Sequence, residues 1–138
     1  MAGFSGTGFS AKSSDCGRVS FGDRAPAALK GGADLVVVQG GLNDYDHSRA
    51  EIKAGFARVM SAAASYRTVV VGPATAPARA AKVPRVDRLL AHLSLKYGVP
   101  YVSTADLKLP YLDDRLHLTP KGHRIFGDAV AARISLLP

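Results

Sequence analysis

Two short runs of β-branched apolar residues constrain this chain more than any other feature. Residues 33–39 (ADLVVVQ) and 67–72 (RTVVVG) place valine at consecutive positions instead of alternating apolar with polar side chains. A strand wetted on one face alternates. A strand covered on both faces need not, and such cover is the habit of parallel sheets with helices above and below. Between and after these runs the pattern turns helical. Over residues 47–66, Ile52, Phe56, Val59, Met60 and Ala63 share one helical face. Val86, Leu89, Leu90, Leu93 and Tyr97 stripe a second helix, which Gly98 and Pro100 end. Residues 101–104 (YVST) read as a short third strand, and Thr119-Pro120 caps a last helix reaching about Leu136. Strand alternating with helix predicts an α/β fold with a parallel sheet.

A chain of 138 residues is one domain, 1–138, and its 47% apolar and 21% charged residues suit a globular protein. No window approaches the roughly 18 uninterrupted apolar residues of a membrane span. The opening MAGFSGTGFSAKSSD has neither the basic nor the apolar stretch of a secretory signal, and the compartment stays open. With Cys16 as the single cysteine, neither an intrachain disulfide nor a cysteine-based zinc site is expected. The net charge of +7 permits weak attraction to nucleic acid, yet no stretch interleaves basic with aromatic residues, so no specific nucleic-acid partner is expected. The basic residues read as solvated helix faces.

One edge of the predicted sheet looks wrong for an edge. Residues 35–38 are apolar throughout, whereas edge strands are normally short, charged or covered. The strand reads as an interior one whose neighbour is missing. It should therefore expose unpaired main-chain groups and favour self-association, and the glycine-rich opening loop should be mobile.

Parallel sheets gather functional groups at the carboxyl ends of their strands. There the first strand runs into Gly40-Gly41-Leu42-Asn43-Asp44 and the second into Gly72-Pro73-Ala74-Thr75. The third leads to Asp113-Asp114-Arg115-Leu116-His117-Leu118-Thr119-Pro120. An Asp three residues before a His puts both on one turn, where the carboxylate can hold the imidazole's tautomer and free its other nitrogen as a base. Asp113 competes for the acid's role; the spacing favours Asp114. The Asn43 amide suits a donor to a developing oxyanion, or an Asx turn leaving the strand. Gly3 offers a backbone N–H that a close ligand can approach. His47, His92 and His123 read as helix-surface residues, and Asp44, Asp46 and His47 are too clustered in one loop to make a metal site.

The order Gly-x-Ser-Gly, Gly-x-Asn-Asp, then Asp-x-x-His-Leu-Thr with Gly-His resembles the SGNH (GDSL-like) hydrolases, from Gly3 to about Arg133. That resemblance implies a flavodoxin-like three-layer α/β sandwich and an esterase, lipase or deacetylase without cofactor or metal. It also implies a small ester or acylated substrate. His117 would be the general base, Asp114 its orienting acid, and Asn43 and Gly3 the oxyanion donors. One departure stands out: the family's nucleophile lies in a Gly-Asp-Ser motif, and no Gly-Asp-Ser occurs here. The expectation is a domain holding the C-terminal greater part of the fold, with the N-terminal strand-helix-strand and the nucleophile absent. The alternative nucleophile is Ser5 within Gly-Phe-Ser-Gly-Thr-Gly, but an elbow nucleophile needs a strand before it, only four residues precede it, and the motif's last position is Thr7 instead of glycine. The rival to an enzyme is an inactive remnant or binding module that keeps the cleft.

Overall fold

The strand Thr68–Val71 (β2) is buried at all four positions, and the fold is built around it. It lies between Val36–Gln39 (β1) and Tyr101–Val102 (β3) in a parallel sheet of order β1-β2-β3. This is a computed structural model, and it describes residues 1–3, 6–13 and 19–138; Ser5 and Cys16 lie outside the described residues.

The unbroken valine run follows from the layering. Val70 faces a core formed with Phe9, with Ile52, Phe56 and Val59 of the helix Arg49–Ala62 (α2), and with Val86, Leu89, Leu90 and Leu93 of Val83–Tyr97 (α3). Val69, Val71 and Val102 face the other way, under Phe126, Val130 and Ile134 of Pro120–Ser135 (α4). Helices cover both faces of β2, giving three layers, and each valine so buried contributes about 1.5–3 kcal/mol. The predicted α/β parallel architecture is the one observed.

Boundaries differ where side chains compete with the backbone. The helix expected over residues 47–66 begins at Arg49, because Ser48 and Glu51 form a reciprocal capping box and leave His47 in the preceding turn. The third strand stops at Val102. Ser103 then hydrogen-bonds Asp87 through its hydroxyl (3.0 Å), and the Thr104 hydroxyl donates to the Gly72 carbonyl (2.8 Å). Gly98 ends α3 as expected, in the left-handed conformation.

A first helix, Phe21–Leu29 (α1), was not anticipated. Ser20 and Asp23 cap it reciprocally, the signature that marks it in the sequence, while Pro26 in its interior argues against a helix there.

Within the opening segment, expected as a mobile loop, residues 7–10 are buried. Phe9 is fully buried, edge-on to Phe21 (centroids 5.0 Å apart) and stacked on Phe56 (5.5 Å). Beside it the fully buried Asp44 carboxylate accepts the backbone N–H of Phe9 (3.0 Å) and of Ser10 (2.8 Å). Burial pushes this carboxyl above its ordinary value even against the two amide donors. Gly8 backs directly onto the same carboxylate, so any Cβ there overlaps it.

Among the described residues β1 pairs only with β2. Val36 and Gly40 donate their N–H groups to Arg67 (2.8 Å) and Val71 (3.1 Å), so alternation turns the main chain of Val37 and Gln39 outward. They face a groove of about 520 Å³ between β1, α1 and residues 1–3. Leu35 and Val37 are 39% and 46% exposed, high for apolar strand residues. The interior-like sequence of β1 therefore sits on an open edge.

Asp44→Ala leaves two buried N–H groups without an acceptor, at about 1–3 kcal/mol each. It is expected to lower the urea midpoint by the equivalent of about 2–4 kcal/mol, and Gly8→Ala to lower it in the same direction. An unchanged midpoint in both variants would refute the anchoring role of Asp44.

Candidate active site

The segment carrying Asp114 and His117 is a tight turn closed by its own backbone. Tyr111 and Leu118 form an antiparallel bridge, and Leu112 donates to the His117 carbonyl (2.8 Å). Arg115 takes a left-handed conformation (φ 58°), rare for a non-glycine residue, to reverse the chain between them. The turn presents Asp114 to three donors. Its Oδ1 accepts the backbone N–H groups of Leu116 and His117, both at 2.9 Å, and its Oδ2 lies 2.6 Å from His117 Nδ1. The His117 side chain, helped by the two amides, holds the Asp114 carboxyl down to about 2. Because a carboxylate only accepts, Nδ1 carries the ring proton and Nε2 is left as the basic nitrogen. Asp113 makes no such bond among the described residues, so the geometry selects Asp114 as the partner of His117. Two residues on, Thr119 caps α4 by accepting from Gly122 (3.0 Å) and fixes the turn's exit.

Asn43 sits in a 3-10 turn, Leu42–Asp44, directly after β1. Gly41 enters it at φ 108°, a conformation only glycine adopts easily. The Asn43 side chain is already engaged on two sides. Its Nδ2 donates to the Thr7 carbonyl (2.9 Å), and its Oδ1 accepts from Arg79 (2.8 Å). Arg79 also donates to the Leu42 carbonyl (2.8 Å), and its guanidinium lies over the Tyr45 ring at 4.2 Å. Neither Arg79 nor the buried Asp44 was singled out from the sequence as a structural partner. The Asp immediately after Asn43 was visible there, but not its burial.

Gly3 is exposed in the groove beside β1, and a Cβ there would meet nothing within 4 Å, so no close approach requires glycine at that position. No hydrogen bond joins Gly3 to Asn43 among the described residues. His123 and His92 are exposed, as read from the sequence. His47 is half-buried, with its ring nitrogens 3.6 Å from Asp46 and 3.7 Å from Glu51.

The 3-10 turn Pro77–Arg79, which follows β2, connects the two halves. Ala78 donates its N–H to the Arg115 carbonyl (3.0 Å), and the next residue, Arg79, holds Asn43. Consecutive residues thus tie the loop after β1 to the turn bearing His117. Among the described residues no group of three His, Cys, Asp or Glu side chains is placed to hold a metal ion, and no serine hydroxyl bonds to His117.

A carboxylate-held histidine and a strand-end asparagine thus both lie beyond the carboxyl edge of the parallel sheet. The sequence profile of the GDSL-like Lipase/Acylhydrolase family matches residues 1–125, and the chain belongs to that family. Solved structures share the fold. Est24, a carbohydrate acetylesterase from Sinorhizobium meliloti, superposes with a TM-score of 0.78 at 19% identity, over 96% of this chain and 75% of its own. The aryl esterase of M. Smegmatis gives 0.67 at 20% identity, over 87% and 70%. A putative arylesterase from Agrobacterium tumefaciens gives 0.65 at 18%, over 83% and 67%. The chain spans from 64% to 75% of the length of such structures. No curated protein matches it by sequence.

The Asp114 shift sets a pH signature. Its folded value lies below the ordinary 3.8, so the stabilisation it gives the turn is complete above about pH 4 and is lost as pH falls through about 2. The backbone amide signals of Leu116 and His117 are expected to titrate with a midpoint near 2, and Asp114→Asn to abolish that transition. A midpoint near 3.8 would mean the pair is not formed.

Proposed function

We propose that this chain carries the acid–base and oxyanion part of a serine ester hydrolase, with the nucleophilic serine of the family's Gly-Asp-Ser motif absent from it. The observation that carries the reading is the 2.6 Å contact between His117 Nδ1 and Asp114 Oδ2, which leaves Nε2 as a base. In the proposed reaction a serine Oγ attacks the ester carbonyl and its proton passes to His117 Nε2. Asn43 and the backbone N–H of Gly3 donate to the oxyanion. His117 then protonates the departing alcohol, and water repeats the sequence to release the acid. The esterase relatives of similar fold point to acetyl or aryl esters as the substrate class. Gly3 is supported by the family resemblance and by closely preceding, in sequence, Thr7, whose carbonyl accepts from Asn43; it is the less anchored of the two donors.

A second reading, a binding module that retains the cleft, is favoured by the lack of a serine hydroxyl bonded to His117 among the described residues. In both readings the open edge of β1 makes self-association expected, since unpaired edges recruit other strands.

Hydrolysis of p-nitrophenyl acetate tests the proposal. Without its nucleophile the chain is expected to retain only a weak rate, within the residual roughly 10³–10⁴ over water left when a triad member is lost. Because that residual comes from the oxyanion donors and binding, Asn43→Ala should lower it, whereas His117→Ala and Ser5→Ala should leave it nearly unchanged. Ordinary enzyme turnover abolished by Ser5→Ala would place the nucleophile at Ser5 and overturn this assignment.

A further inference from the structure

An asparagine side chain can turn over about its last bond, exchanging a carbonyl oxygen for an NH2 group at nearly no steric cost. An oxyanion donor needs that freedom removed, and the surroundings of Asn43 remove it. On one side stands the Thr7 carbonyl, which only accepts; on the other stands the Arg79 guanidinium, which only donates. In the observed orientation both contacts are satisfied, at 2.9 Å and 2.8 Å. The flipped amide sets oxygen against oxygen and NH2 against guanidinium, losing both bonds at once.

We propose that Arg79 is a positioning residue for Asn43, holding the side-chain oxygen so that the amide N–H not given to Thr7 is presented to the substrate. The proposal rests on the reading of Asn43 as an oxyanion donor and adds the residue that orients it. Arg79 is itself fixed for the task. The same terminal nitrogen bonds the Leu42 carbonyl, the guanidinium lies over Tyr45, and Ala78 beside it is bonded to the turn bearing His117. A charged donor makes a stronger hydrogen bond than a neutral one, which suits it to locking a rotor. Lys82 lies over the same Tyr45 ring at 5.3 Å but shares no hydrogen bond with Asn43 among the described residues, so the orienting bond is that of Arg79.

The sequence provides an unusually clean probe. Asn43 is the only asparagine and Gln39 the only glutamine, so the side-chain amide region of a 15N NMR spectrum holds two NH2 pairs. The Asn43 pair is expected to show two widely separated protons, one slowed in solvent exchange, while exposed Gln39 shows an ordinary pair. Arg79→Met should bring the Asn43 protons together and speed the slow one on the order of tenfold, as loss of a charged hydrogen bond implies. Arg79→Lys, which keeps the charge and a donor, should restore part of the separation. Unchanged core amide signals show that each variant is folded. If the Asn43 pair in a folded Arg79→Met matches the parent, the proposal is wrong. Asn43→Ala, assayed on p-nitrophenyl acetate, separates the two layers of the argument. If Arg79→Met frees the Asn43 amide while Asn43→Ala leaves the residual rate unchanged, the clamp stands and the oxyanion reading falls.

Discussion

The buried carboxylate of Asp44 is the contact on which the opening of this chain depends. It is fully buried and takes the amides of Phe9 and Ser10, which holds residues 7–10 of a glycine- and serine-rich opening against the core. Because Asp44 closes the turn Leu42–Asp44, the same residue that anchors the opening also sets the position of Asn43 beside it. The Thr7 carbonyl, two residues before Phe9, then receives the Asn43 amide. Structure and candidate chemistry share one turn. An unpartnered carboxylate in such a place would be costly, and its two backbone donors offset part of that cost.

The α/β character was legible because β2 is buried on both faces, and a strand so covered need not alternate apolar with polar residues. The helical stripes of α2 and α3 were equally plain, since Ile52, Phe56, Val86 and Leu90 all pack into one core. What escaped notice was governed by long-range partners. Phe9 looks like a loop residue until Phe21 and Phe56 close around it. The helix α1 was hidden by Pro26, although Ser20 and Asp23 carried its capping pattern. The apolar edge of β1 was legible as an anomaly, and the open groove beside it gives that anomaly a physical form.

At the candidate site, the Asp114–His117 pairing was readable because a three-residue spacing within one turn is a local property. Asp113 and Asp114 could be separated fully only by geometry, through the three bonds that Asp114 accepts. The clamp on Asn43 was not readable: Arg79 lies 36 positions away and meets it only through folding. Gly3 illustrates the converse, a residue chosen for lack of a side chain that has open space around it. The turn Pro77–Arg79, unremarkable in sequence, joins the asparagine loop to the histidine turn through adjacent residues.

The central claim is that Asn43 and His117 serve one acyl-transfer site at the carboxyl edge of the sheet. A titration of the 15N-labelled chain with a non-hydrolysable phosphonate, whose charged tetrahedral centre mimics the intermediate, addresses it directly. The account predicts that the Asn43 side-chain amide and the His117 ring signals move together along one binding curve with one Kd. Movement of one without the other, or two curves with different Kd values, would contradict it.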